Sequence, residues 1–260
     1  MYKRQDICLL RHDGSGKNAF KNPLSFRYLD DNFIESDAVK IGKTFMDYLK
    51  KTKDPRIHVY CSLKDGNTEF DKQFGLPNGY DSHTIADAPS GSFVGLENTS
   101  NFNINTILRL DAPTIFLMPS ETKLLLAEAV LRNWTNGNAE VLYKEAITSS
   151  MKEQEIAYGT QGKITDEEIE TYLAQNLFST ANNTEKLQII GEQYWVATFI
   201  NGYESYANWR RTGYPKLIPT NYSGSMSPGV IPTRLPYPTD EYSINSCLLY
   251  TSDAADEEYS

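Results

Sequence analysis

The sequence predicts a scaffold of paired α-helices carrying long irregular loops, and three observations lead there. Past Pro119 most runs read as capped, amphipathic helices. A short Asn/Gly connection joins two of them. Some fifty residues between Lys64 and Pro113 are dense in Gly, Asn, Ser and Asp and hold no sustained period. With 260 residues, 40% of them hydrophobic, the chain can bury a core of its own. A formal net charge of -9 argues against a nucleic acid held through its phosphates, because that mode needs a basic surface to displace counterions. Neutral or cationic ligands suit such a surface better.

Taken in order, residues 6–36 are polar and irregular. "SDAVKIGKTFMDYLKKTKDPR" predicts a helix with Ser36 as N-cap and with Ala38, Ile41, Phe45, Tyr48 and Leu49 on one face. It should end near Lys51, ahead of the Asp54-Pro55 step. The long loop follows, and a loop of that length in a folded domain is functional or disordered. "SETKLLLAEAVLRNW" starts the next helix at Ser120. After "TNGN", "AEVLYKEAITSSMKEQEI" lines up Ala139, Leu142, Tyr143, Ala146, Ile147 and Met151. So short a connection makes these two helices antiparallel. Ala127 and Ala129 beside large Leu and Trp side chains suit the close packing of helix pairs such as tetratricopeptide units. "TDEEIETYLAQNLF" opens with a capping box, Thr165 and Glu168, and aligns Ile169, Tyr172 and Leu173. A long helix then begins at Thr184, with a bend expected at Asn201-Gly202, and beyond Thr212 recurring proline predicts loop.

Chemistry-bearing motifs are sparse. Cys8, Cys61 and Cys247 have neither zinc-site nor disulfide-framework spacing, and His12, His58 and His83 are scattered, so no metal and no cofactor is expected. GxSxG, P-loop and dinucleotide fingerprints do not occur. No run approaches the roughly 18 apolar residues of a membrane span. A glycoside hydrolase needs two carboxylates across a cleft, and among 34 acidic residues no local motif singles out a pair. A helical scaffold that binds only proteins is a further alternative. Aromatic content leans to tyrosine, 17 Tyr against 11 Phe and 3 Trp, and tyrosine joins an apolar face to a hydroxyl tip, which suits ring-shaped polar ligands. The candidate ligand-binding side chains are Phe74, Tyr80, Phe93 and Phe102 of the long loop, with Asn78, Asn98, Asn101 and Asn103 nearby; packing under the helices is the competing role for each. "NGYESYANWRRTGYP" puts Trp209, Arg210 and Arg211 at a helix end. The pair of arginines either grips an anionic ligand or fastens the helix to the fold.

Both ends look foreign. The tail "CLLYTSDAADE" resembles a translated sequencing adapter, and the head "MYKRQ" resembles the opposite strand of the same adapter. Residues 1–5 and 247–260 are therefore expected to be adapter-derived, with a single native domain segment over 6–246, and a missing export signal or lipid anchor says nothing about location.

The "DPR" step, the "GLPNGY" loop, the "AEA" helix, "WRRTGYP" and "IPTRLPYPTDEYSIN" occur here in one order. Over Asn22 to Asn245 the chain resembles the C-terminal part of SusD/RagB-type nutrient-binding outer-membrane lipoproteins of Bacteroidetes. The resemblance implies a mostly α-helical, SusD-like fold in which tetratricopeptide-like helix pairs carry long, ligand-contacting loops. It implies an outer-membrane protein on the extracellular face, held by a lipid anchor that this fragment lacks. It would cap a SusC-like TonB-dependent transporter and deliver an oligosaccharide or a peptide without cleaving it. Trp209, Arg210 and Arg211 would then close the last helix, with Glu121, Glu128 or Glu241 as carboxylate partners. Without the upstream helix pairs, an apolar stripe is expected to be exposed between Ser120 and Ile156.

Overall fold

The structure, a computed structural model, describes residues 6–15, 17, 20–25, 40–80, 85–88, 91–220, 229–233, 240 and 244. The chain divides into two units, Met1–Ile218 and Pro219–Ser260. In the second, Gly229 N–H donates to Thr220 O at 3.2 Å. All helices and strands named below lie in the first.

Helix α1 spans Lys43–Thr52 and α2 is the single turn Ile57–Tyr60. Helix α3 spans Pro119–Leu131, α4 Ala139–Tyr158, α5 Asp166–Gln175, α6 Asn183–Ala197 and α7 Gly202–Thr212. Strand content among the described residues is slight: β1 (Cys8–Leu10) pairs antiparallel with β4 (Thr114–Leu117), and β2 (Cys61–Ser62) with β3 (Asn101–Phe102). The fold is mostly α-helical, as the sequence predicts; β1 corrects the reading of residues 6–36 as irregular throughout.

Helices α3 and α4 form the most extensive contact and α3 also rests on α6. The pair is antiparallel, because Ser120 at the start of α3 meets Glu153 near the end of α4: its N–H and Oγ donate to the carboxylate at 3.1 and 2.7 Å. Ser120 is therefore inside the helix rather than its first residue. Met118 is the N-cap, and its N–H is satisfied by Glu121 Oε1 at 2.9 Å. Ala127 and Ala146 are fully buried where the two helices approach, beside Leu124, Tyr143, Ile147 and Met151. The Thr165/Glu168 capping box opens α5 as its sequence predicts.

Other predicted boundaries move too, among them the end of α3, which stops at Leu131 rather than Trp134. Helix α1 begins at Lys43, with Gly42 as N-cap, because residues 41–42 are extended and paired: Ile41 N–H donates to Ser100 O at 2.8 Å and Leu76 N–H to Ile41 O at 2.7 Å. Those tertiary bonds occupy the backbone that a longer helix would use. Ser36 itself lies outside the described residues. The expected bend at Asn201-Gly202 is a full break between α6 and α7. Thr198 folds its hydroxyl back onto Tyr194 O and meets Ser205 Oγ, and Asn201 accepts Glu204 N–H as a fresh N-cap.

The packing centre is polar as well as apolar. Arg56, fully buried, donates through Nε and Nη2 to both oxygens of Asp54, through Nη1 to Ser150 Oγ on α4 and through Nη2 to Gln193 Oε1 on α6. Gln193 in turn donates to the hydroxyls of Tyr48 on α1 and Tyr172 on α5. One guanidinium thus ties four helices together through a satisfied network. Beside it Phe45, Tyr60, Trp195 and Phe199 form an aromatic cluster, with Phe45 and Phe199 stacked at 4.3 Å. Leu125, Leu126, Val141 and Ile156 stand exposed on α3 and α4, and Trp134 on the connection between them. Lys144, Thr148 and Lys152 lie between Val141 and Ile156 on the same groove, so these are separate exposed side chains rather than the continuous apolar stripe expected.

Candidate functional site

The double arginine of α7 divides its work. Arg211 Nη1 and Nη2 donate to Glu128 Oε1 and Oε2 on α3 at 2.6 and 2.7 Å, and Nη2 also reaches Asn208 Oδ1 at 2.8 Å. Arg132 Nε adds a third bond to Glu128 at 2.7 Å. Burial works to raise the Glu128 carboxyl, but the bonds from Arg211 and Arg132 outweigh it and hold the group below the usual carboxylate range. Of the three carboxylates named from the sequence, Glu128 is the partner of Arg211; Glu121 caps α3, and Glu241 lies outside the described residues. Arg132 is a partner that the sequence reading missed, although its i, i+4 spacing from Glu128 is visible there.

Arg210 is placed differently. It is exposed, with its guanidinium 5.8 Å from the centre of the Tyr206 ring. Tyr206 and Trp209 stack at 6.0 Å with 19° between their planes, and Tyr203 is 91% exposed. Asn208 is the one buried residue of α7. The helix is nonetheless well seated. Gly191 of α6 lies so close to the chain leaving α7 that a Cβ there would stand 2.6 Å from Tyr214 Cβ.

Three carboxylates gather where α3 meets α4, α6 and α7. Burial pushes the Glu121 carboxyl up to about 7, helped by the charges of Glu204 and Glu153. Glu153 is raised too, again chiefly by burial, though it accepts from Ser120 and from Ser149 Oγ. Tyr194 on α6 donates to Glu204 on α7 at 3.4 Å. Glu121 and Glu153 spend their oxygens on the helix start and on holding α3 to α4. Glu153 also lines an open groove of about 510 Å³ between these helices, with Lys123, Lys144, Lys152, Val141 and Ile156. No aromatic side chain lines that groove, so it lacks the flat face on which a sugar ring stacks. Among the described residues no group of three or more His, Cys, Asp or Glu is placed to hold a metal ion.

The described start of the long loop is pinned by hydrogen bonds. Gln73, fully buried, donates to Asn67 O and Glu69 O and accepts from Ser100 Oγ, and Phe74 N–H donates to the same hydroxyl. Phe74 is 39% exposed, and Lys50 Nζ lies 4.2 Å from its ring centre. Tyr80 and Phe93 are half-buried, and no ring contact joins Phe74, Tyr80 and Phe93 to one another among the described residues. Phe102, in β3, turns its ring to Phe199 at 5.5 Å and belongs to the core. Asn78, Asn98 and Asn103 are engaged with Thr44, Val94 and His58. Asn101 is 1% exposed, and neither its Oδ1 nor its Nδ2 has a hydrogen-bond partner.

Comparison with known proteins agrees with this architecture. A chitin-binding protein of known structure is 28% identical, with a TM-score of 0.71 over 92% of this chain and 50% of its own. A SusD homologue from Bacteroides fragilis is 23% identical, with a TM-score of 0.68 over 100% of this chain and 56% of its own. A chitin-binding SusD homologue from Flavobacterium johnsoniae is 24% identical, with a TM-score of 0.60 over 83% and 46%. The chain thus spans about half the length of the solved structures it matches. A comparison with curated proteins returns no match. The profile of the SusD-like family described as "Starch-binding associating with outer membrane" matches residues 2–238. Its paired helices agree with that match, which runs over most of its length, and the chain belongs to that SusD-like family.

Proposed function

We propose that this chain serves non-catalytic nutrient binding at the extracellular face of the outer membrane, with an oligosaccharide as ligand. The observation that carries the proposal is the family match over residues 2–238. The 28% identity to a chitin-binding protein favours sugar over peptide, without fixing which sugar. In this reading Phe74, Tyr80 and Phe93 of the long loop face the ligand, whereas Phe102 packs against Phe199 and the core. Handover goes to a SusC-like TonB-dependent transporter. Among the described residues no helix is long and apolar enough to cross a membrane. Attachment to the membrane through a lipid anchor is part of this reading.

Calorimetric titration against matched panels of oligosaccharides and peptides, with chromatography of the products, tests the proposal. Saturable binding of at least one oligosaccharide, with no new products after prolonged incubation, is expected. Binding confined to peptides, or turnover of a glycan, would overturn it.

A further inference from the structure

We propose that the neck of the long loop is a binding site for a buried water molecule, held by the side-chain amide of Asn101 and the hydroxyl of Ser62. The site does not depend on which ligand the loop contacts.

Strands β2 and β3 are the two ends of that loop, which runs between them as residues 63–100. They pair antiparallel, Cys61 with Phe102 and Ser62 with Asn101. Successive side chains of a strand point to opposite faces. Phe102 turns to Phe199 and the core, so Ser62 and Asn101 share the other face. Residues directly opposite in such a ladder have Cβ atoms about 4.5–5.5 Å apart. This face is closed to solvent as well, with Ser62 at 0% and Asn101 at 1% exposure.

Buried polar side chains crowd the neck, and nearly all are matched. Thr99 Oγ1 donates to Gly95 O at 2.8 Å, and Ser100 Oγ to Gln73 Oε1 at 2.8 Å. Asn103 Nδ2 donates to His58 O at 2.7 Å while its Oδ1 accepts Asn105 N–H at 2.8 Å, and Thr106 Oγ1 donates to Val59 O. Of these buried neck side chains Asn101 is the exception, with both amide atoms unbonded. Its partner across the ladder is half used. Ser62 Oγ accepts Ile104 N–H at 3.4 Å, and its own hydrogen goes to no acceptor among the described residues. A buried amide left unpaired costs more than a hydrogen bond gains, so two adjacent orphans in an otherwise matched setting point to a shared ligand.

The chemistry of the pair selects water. A buried water makes about three hydrogen bonds, donating and accepting, so it can serve the Asn101 amide and the Ser62 hydroxyl at once. A divalent cation would meet only neutral oxygens here, and a sugar ring is too large for a face with almost no accessible surface. Bound in this way, the water joins the two ends of the loop by side-chain bonds, beyond the two residue pairs of the ladder. It fixes the neck of the segment that carries Phe74, Tyr80 and Phe93.

Asn101→Leu tests the site, because leucine has nearly the shape of asparagine and none of its polarity. A high-resolution crystal structure of the unaltered chain is to be combined with magnetic relaxation dispersion of the solvent water and with Tm, both measured on the two chains. An ordered water within hydrogen-bond distance of Asn101 and Ser62 is expected, with one long-lived water fewer in the variant and a Tm lower by about 3 °C. A dry neck reverses the sign: removing an amide that bonds nothing leaves Tm unchanged or raises it. A crystal structure without that water, an unchanged number of long-lived waters or a Tm that does not fall overturns the proposal. Should Asn101→Leu fail to fold, the crystal structure of the unaltered chain decides by the presence or absence of the water.

Discussion

Arg56 and Arg211 each hold a carboxylate with two hydrogen bonds, and they do so in opposite surroundings. Arg56 and Asp54 are both 0% exposed. The Arg211 side chain is 42% exposed, although its partner Glu128 is only 5% exposed. Burial alone would drive the Arg56 guanidinium to give up its proton, but the Asp54 carboxylate outweighs burial and the group stays charged. For Arg211 its hydrogen bonds to Glu128 are the larger influence and desolvation opposes them only in part. The contrast teaches that one recognition geometry serves two purposes. In the core it fixes which helices meet; at the surface it sets the pose of a single helix.

The largest expected effect comes from breaking the core member. Arg56→Leu would leave the Asp54 charge buried and would strip Ser150 and Gln193 of a donor. Removing one partner of a buried pair costs about 3–5 kcal/mol, comparable to the whole stability of a small domain. Chemical denaturation should therefore show the cooperative transition lost or moved to very low denaturant. Arg56→Lys should rescue little, because an ammonium cannot reproduce the fork that reaches Asp54, Ser150 and Gln193 together. A transition close to that of the unaltered chain would break the comparison.

Arg211→Gln should do much less. Glu128 keeps its bond from Arg132, and water reaches the place that the guanidinium leaves, so the loss is about 1 kcal/mol. Added salt should shrink the difference between Arg211→Gln and the unaltered chain, because a half-exposed pair is screened. The Arg56 defect should be indifferent to salt. Parallel denaturation series at low and high sodium chloride would show the two slopes.

These two sites also mark how far the sequence could be read. The Thr165/Glu168 box and the antiparallel α3–α4 pair were legible because their signals are local: a cap three residues from its partner, a short Asn/Gly connection, one apolar face. The Arg56 hub was not, since Ser150 and Gln193 lie 94 and 137 residues away along the chain. The start of α1 moved for the same reason, with Ser100 and Leu76 claiming the backbone around Ile41. At the surface, the arginine pair drew notice, but only packing could show that Arg211 turns inward to Glu128 while Arg210 turns out over Tyr206. Tyr203 and Tyr206 carried a visible i, i+3 signal whose meaning depends on exposure, which a sequence does not give.

A smaller effect sharpens the comparison through pH. Glu128 and Glu121 sit on the same helix with opposite shifts, so their contributions to stability run in opposite directions. Glu128 is held low, so what it contributes is present above its unfolded pKa and fades as pH falls. Glu121 is pushed up to about 7 from 4.5, facing Glu204, Glu153 and Tyr194 with only the Met118 N–H and the tyrosine hydroxyl to stabilise its charge. Between those values the folded chain binds more protons than the unfolded one, and stability falls as pH rises through that window. Glu121→Gln keeps an oxygen for Met118 N–H and removes the charge. It should raise stability at pH 8 by about 1 kcal/mol and flatten the decline between pH 4.5 and 7, read as Tm against pH. An undiminished decline in the variant would move the cause to Glu153 or Glu192, whose carboxyls are raised by burial as well.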